Sequence, residues 1–173
     1  MWLVINSTLE NKKLLTIAGK SLCLCQKFET TCKDIIMWLS SAKFVNDKKV
    51  SLLDDYYSDF IEELINRQLG QSISKFEMEV NIGIPLDHIS ILKKGKDSRN
   101  FICHEFLKGL IASSFSEKEG YKYDLKLLKT HLNNIATADF IVSKWSYEFH
   151  ENKSGDFIDQ DKYIKGLIDW VLK

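Results

Sequence analysis

Between about residues 9 and 41 an apolar residue recurs at every third or fourth position: Leu15, Ala18, Leu22, Cys25, Phe28, Cys32, Ile36 and Leu39, with no proline to interrupt the run. On a helix turning about 100° per residue that spacing draws one stripe down one side, and a stripe this long needs other helices to bury it. Punctuation is sparse elsewhere too. One proline, Pro85, and eight glycines in 173 residues favour long helices over a many-turned β fold.

The other stripes predict the remaining elements. A polar break at Asn46 to Lys49 precedes Ser51, which caps a second helix carrying Leu53, Tyr57, Phe60, Ile61 and Leu64 and stopping at Gly70. Residues 76 to 84 fit both strand alternation and helical spacing, with a short helix and then an extended run into Pro85 as the preferred reading. Pro85 opens a third helix from about Leu86 to Ser114, with Ile89, Leu92, Ile102, Phe106 and Leu110 on its buried side and Gly95 as a point of bending or close backbone contact. Ser116 to Tyr121 reads as a loop, about Tyr123 to Phe149 as a fourth helix, and Asp159 to Leu172 as a terminal one. The expected architecture is all-α, a single domain over 1–173 forming an antiparallel bundle of four to five helices.

No stretch approaches the roughly 18 uninterrupted apolar residues of a membrane span, and Met1 to Ile5 lacks the basic flank of a secretory signal, so a cytoplasmic protein without membrane contact is expected. The cysteines, Cys23, Cys25, Cys32 and Cys103, have neither zinc spacing nor disulfide-scaffold density; Cys25 and Cys32 share a helix face and read as small core hydrophobes, with Cys23 pointing elsewhere. With 24 acidic and 24 basic residues the net charge is zero, so no global field attracts a polyanion. There is no phosphate-binding glycine loop, nucleophilic serine motif or metal-binding carboxylate cluster, and no metal or cofactor is expected.

Of the 24 basic residues only Arg67 and Arg99 are arginines. Lysine serves a solvated surface equally well, whereas guanidinium offers a planar fork of donors that fits phosphate or carboxylate oxygens and keeps its charge, so Arg99 calls for an individual explanation. It opens the run Arg99-Asn100-Phe101-Ile102-Cys103-His104. On an α-helix Asn100 and His104 share a face, and Arg99 lies about 140° round from His104, within the sweep of a long side chain. An ordinary histidine side chain titrates near neutral pH, so in this reading His104 exchanges a proton with a hydroxyl or a leaving oxygen, while Arg99 holds a phosphate and Asn100 orients the imidazole or bonds the ligand. Lys93, Lys94 and Lys96 adjoin the motif as RNA-binding candidates, although such a run is usually a solvated helix face. On pattern alone the favoured reading is structural: an ion pair, a cap or a hydrogen bond to a neighbouring helix. One histidine is also short of the usual acid and base pair.

The segment Ser98-Arg99-Asn100-Phe101-Ile102-Cys103-His104, in a long helix of an all-helical chain, resembles the HEPN superfamily. That family's signature is an arginine followed by four to six residues and then a histidine, with a polar residue, frequently asparagine, directly after the arginine. The resemblance implies a metal-independent endoribonuclease that leaves a 2′,3′-cyclic phosphate and acts as a homodimer, with two copies of the motif converging on one cleft. Arg99 and His104 would then be catalytic and Asn100 supporting, with the second subunit supplying the second histidine. It further implies RNA as substrate, a toxin or phage-defence role, and an antitoxin or nucleotidyltransferase as partner. Glu105 departs from the pattern, standing where many members have a small residue. The alternative is a catalytically silent module of the same fold that binds or regulates a partner, which charge neutrality and Glu105 favour.

Among the other candidates, His131 reads as a surface or interhelix residue, and His88 and His150 lack partners at metal spacing. Trp2, Trp38, Trp145 and Trp170 are spread along the chain and read as packing residues rather than base-stacking ones.

Overall fold

The computed structural model describes residues 9–48, 55–78, 85–106, 118–151 and 157–173. These form six α-helices: α1 (Leu9–Lys48), α2 (Asp55–Ile65), α3 (Leu69–Met78), α4 (Leu86–Asn100), α5 (Lys118–Glu151) and α6 (Gln160–Leu172). A π-helical turn, Phe101–Phe106, continues α4. No strand occurs among the described residues, so the chain is an all-α bundle, with six α-helices where four to five were expected.

Side-chain pairings give the helix directions. Cys25 and Phe28 of α1 meet Cys103 of the π turn and Gly95 of α4, and Gly95, Ser98 and His88 of α4 meet Ala138, His131 and Trp145 of α5, both in reverse order, so α4 and its π turn run against both. Lys20 and Lys27 of α1 reach Trp170 and Tyr163, which sets α6 antiparallel to α1. Lys27 and Trp38 pair with Asp139 and Phe149 in the same order, so α1 and α5 run parallel within the otherwise antiparallel packing.

The core lies where α1, α4 and α5 converge. Phe28, Cys32 and Ile36 of α1, Leu92 of α4, Ile102 of the π turn, and Leu128, Leu132, Ile135 and Val142 of α5 are almost wholly buried. Cys25 and Cys32 are buried and Cys23 is exposed, as the helix-face argument requires. Leu15 departs from its expected place: it is exposed, and Leu14 and Ile17 carry the buried edge of α1 instead. Gly95 marks the closest approach of α4 to its neighbours. A Cβ there would sit 2.5 Å from the Ala138 Cβ and 3.1 Å from Phe28 Cζ, so only glycine lets the three helices meet at this depth.

Three expected boundaries move. α1 does not break at Asn46 but runs to Lys48, and Phe44 on this extension stacks on Phe60 of α2 at 4.2 Å between ring centroids. Tertiary packing of aromatics there outweighs the polar composition. Gly70 does not stop the second helix; α2 ends at Ile65 and Gly70 lies in the first turn of α3. The signal that governs is Gln68-Leu69-Gly70-Gln71, in which Gln71 Oε1 accepts from the Gln68 backbone N–H at 2.9 Å, half of a capping box. The short helix expected before Pro85 is α3, while 79–84 lie outside the described residues. The expected loop at Ser116 to Tyr121 is helical from Lys118, and the expected stretch of the third helix from 107 to 114 lies outside the described residues. Asp159 caps α6, its carboxylate accepting from the Lys162 N–H at 3.0 Å.

Candidate functional site

The motif does not occupy a continuous α-helix. Arg99 and Asn100 close α4, and His104 sits in the π turn that follows, where the ring closes over five residues rather than four. A wider turn advances less per residue, which reduces the angular separation of His104 from Arg99, five positions earlier, that a continuous α-helix would give. Arg99, Asn100 and His104 all line one cleft of about 660 Å³. The start of the π turn is held by α5: Phe101 stacks on His131 at 3.9 Å, and Ser98 Oγ lies 3.1 Å from both His131 Nδ1 and Asn134 Nδ2. Burial lowers the His131 pKa, so the ring is neutral and suited to this packed position.

Three further elements complete the cleft. α1 contributes Glu29 and Lys33, the turn after α2 contributes Asn66, Arg67 and Gln68, and the first turn of α3 contributes Leu69 and Gly70. Lys96 of α4 joins them. The lining therefore holds four cationic side chains, Lys33, Arg67, Lys96 and Arg99, with Glu29 between Lys33 and Arg99, while Glu63 pairs with Arg67 at 2.6 Å and Asp97 with Lys96 at 3.1 Å.

Arg99 is oriented before any ligand arrives. Its Nη2 donates to Glu29 Oε2 at 2.5 Å and its Nη1 to Asn100 Oδ1 at 3.0 Å, while its buried Nε has no protein partner. Burial pushes the Glu29 carboxyl up, but hydrogen bonding and charge from Lys33, 3.0 Å from Oε1, and from Arg99 outweigh it and hold the group below the usual glutamate range. Glu29 thus stays ionised and fixes the guanidinium. The interhelical ion pair favoured on pattern does form, and it forms inside the cleft. His104 and Asn100 are exposed at the rim, open to a ligand.

Of the three candidate lysines, Lys96 lines the cleft and Lys93 and Lys94 do not. Lys93 lies six residues before Arg99, about 9 Å down the helix axis, and Lys94 lies about 140° round from Arg99. His131 supports the motif from behind as an interhelix residue, and His88 packs its ring 5.5 Å from Trp145. Trp145 also packs on Phe76, Trp38 on Phe149, and Trp170 carries the Lys20 ammonium over its ring; Trp2 lies outside the described residues. Among the described residues no group of three or more histidine, cysteine or acidic side chains is set to hold a metal ion, and no helix is long and apolar enough to cross a membrane. Sequence reasoning missed Glu29, Lys33 and the turn at Arg67. The rarity of arginine was the one signal that pointed to Arg67.

A second polar cluster joins α1, α5 and α6. Asp139, wholly buried, accepts from Lys27 Nζ at 2.7 Å and from Tyr163 Oη at 2.6 Å, and Ser143 Oγ lies 2.9 Å from Lys27 Nζ. Burial pulls the Lys27 ammonium down, but Asp139 and Tyr163 more than reverse it, so Lys27 is held charged. A charged lysine cannot act as a base, and the cluster reads as the polar tie that seats α6.

Compared with known proteins, the chain matches no family model, no curated protein and no solved structure.

Proposed function

We propose that the chain is a metal-independent endoribonuclease of the HEPN type. The observation that carries this reading is the convergence of Arg99, Asn100 and His104 on one open cleft that four cationic side chains line. Arg99, held by Glu29, binds the scissile phosphate and stabilises charge on its oxygens; His104 exchanges the proton between a ribose hydroxyl and the leaving oxygen. The ribose 2′-hydroxyl attacks the adjacent phosphorus, the bond to the 5′-oxygen breaks, and a 2′,3′-cyclic phosphate remains. One histidine per cleft serves one proton transfer at a time, so the reading includes a homodimer in which a second copy supplies the other histidine. Such an activity suits a toxin or phage-defence effector controlled by an antitoxin or a nucleotidyltransferase.

The Arg99–Glu29 ion pair favours a second reading, a module that binds a nucleotide phosphate or a partner without chemistry, since half of the fork is already engaged.

Incubating the protein with RNA in excess chelator separates the two. The nuclease reading expects cleavage with cyclic-phosphate ends, lost in both Arg99→Ala and His104→Ala variants whose helical circular dichroism is intact. Cleavage unchanged in either variant overturns the site assignment, and binding without cleavage by the wild type establishes the second reading.

A further inference from the structure

The chain's two arginines, 32 positions apart and on different elements, line the same cleft. Arg99 is accounted for by the motif. Arg67 is not, and its visible partner does not call for an arginine: Nη2 donates at 2.6 Å to Oε1 of Glu63, an exposed carboxylate four residues earlier on α2 that lysine would pair with as well.

The backbone presents Arg67 to the cleft on a fixed turn. The Arg67 N–H donates to the Leu64 carbonyl at 3.3 Å, Gln71 caps the Gln68 N–H, and Leu69 is buried and anchors the start of α3. Leu69 and Gly70 then occupy the first turn of α3, where backbone N–H groups have no intrahelical acceptor and the helix carries partial positive charge. Gly70 lies in ordinary contact range of Lys96, its Cβ position 3.6 Å from Lys96 Cδ, which joins this turn to the Arg99 side of the cleft.

The two guanidinium groups are held differently. Glu29 is largely enclosed, with 12% of its side chain exposed, and keeps Arg99 in place; Glu63, the partner of the 20% exposed Arg67, is 66% exposed, and solvent screens a pair to so exposed a carboxylate. Arg67 can therefore exchange Glu63 for a ligand oxygen at little cost, while Arg99 stays where it is.

We propose that Arg67 and the first turn of α3 form a second phosphate subsite beside the one at Arg99, so that the cleft takes a nucleic-acid strand through two consecutive phosphates. The inference deepens the nuclease reading and rests on it for the identity of the strand. Its ligand is a dinucleotide or longer single strand, and Arg67 is a binding residue, remote from the reacting bond.

Because there are two arginines, protein labelled with 15N-arginine shows two side-chain Nε–H signals, assigned with Arg67→Lys and Arg99→Lys. Titration uses inorganic phosphate and a short RNA carrying 2′-O-methyl groups, which cannot be cleaved. Both signals should shift with the RNA at one common midpoint. Arg67→Gln should weaken RNA binding about tenfold and reduce the slope of log affinity against log salt by about 0.7, the share of one phosphate contact on a single strand. An Arg67 signal that stays still at saturating RNA overturns the subsite, as does wild-type affinity and salt slope in Arg67→Gln. If Arg67→Gln does not fold, the wild-type titration decides. Cleavage in chelator is scored separately: both signals moving without cleavage leaves the subsite standing and refutes the nuclease, and cleavage with an unmoved Arg67 does the reverse. Neither signal responding to either probe overturns the subsite.

Discussion

Gly95 of α4 lies so close to Ala138 of α5 that a methyl group on it would stand 2.5 Å from the Ala138 Cβ. Phe28 of α1 closes the same point from the other side, and Glu29 follows it directly in sequence. The depth at which α4 seats here therefore decides whether Arg99, one turn later, reaches Glu29. Gly95→Ala should gain up to about 1 kcal/mol in helix propensity and lose about 1–3 kcal/mol to overpacking. Net destabilisation in urea unfolding is expected, and a stabilised variant would show that the helices separate freely.

Asp139 is wholly buried between Lys27 and Tyr163. Lys27→Met leaves the carboxylate with Tyr163 and should cost about 3 kcal/mol, the low end for breaking a buried pair because Lys27 itself is half-exposed. Tyr163→Phe removes the hydrogen bond to Asp139 and the one accepted from Lys27, and should cost at least about 1.5–3 kcal/mol. Denaturant midpoints check both, and the two effects should fall short of adding, since the residues share one partner.

Glu29 is held below the usual glutamate range by Lys33 and Arg99 against the effect of burial. A carboxyl depressed in the folded state contributes stability above its unfolded pKa, and that contribution disappears as pH falls through the folded value. The stability difference between wild type and Glu29→Gln should be present at neutral pH and close as pH drops below about 4.3. A pH-independent difference would mean that the ion pair adds nothing through its charge.

His131 is held below the usual histidine range by burial. The unfolded chain then takes up a proton near pH ~6.5 that the folded chain refuses, so stability falls as pH drops through that value and levels off below the folded pKa. His131→Gln should remove this slope between neutral and mildly acidic pH in urea titrations. An unchanged slope would assign it to another group.

The helices were legible in the sequence because helical periodicity is local: Cys25, Phe28, Cys32 and Ile36 announce a buried face without knowledge of what covers it. Their ends were less so. Whether α1 continued past Asn46 depended on Phe44 finding Phe60, a contact that spacing does not encode.

The motif was likewise visible as residue types, an arginine, an asparagine and a histidine whose chemistry suits a phosphate. Its assembly was not. A turn closing over five residues rather than four brings Arg99 and His104 to one cleft, and it is held by the stacking of Phe101 on His131, thirty residues away in the chain. Glu29, Lys33 and Arg67 reach that cleft from α1 and the α2–α3 turn. The sequence by itself determined an all-helical chain carrying a cation and an imidazole in one run. Only the tertiary structure decided that Lys33, Arg67, Lys96 and Arg99 line one cleft, because that depends on which helix faces which, set by close packing at points such as Gly95.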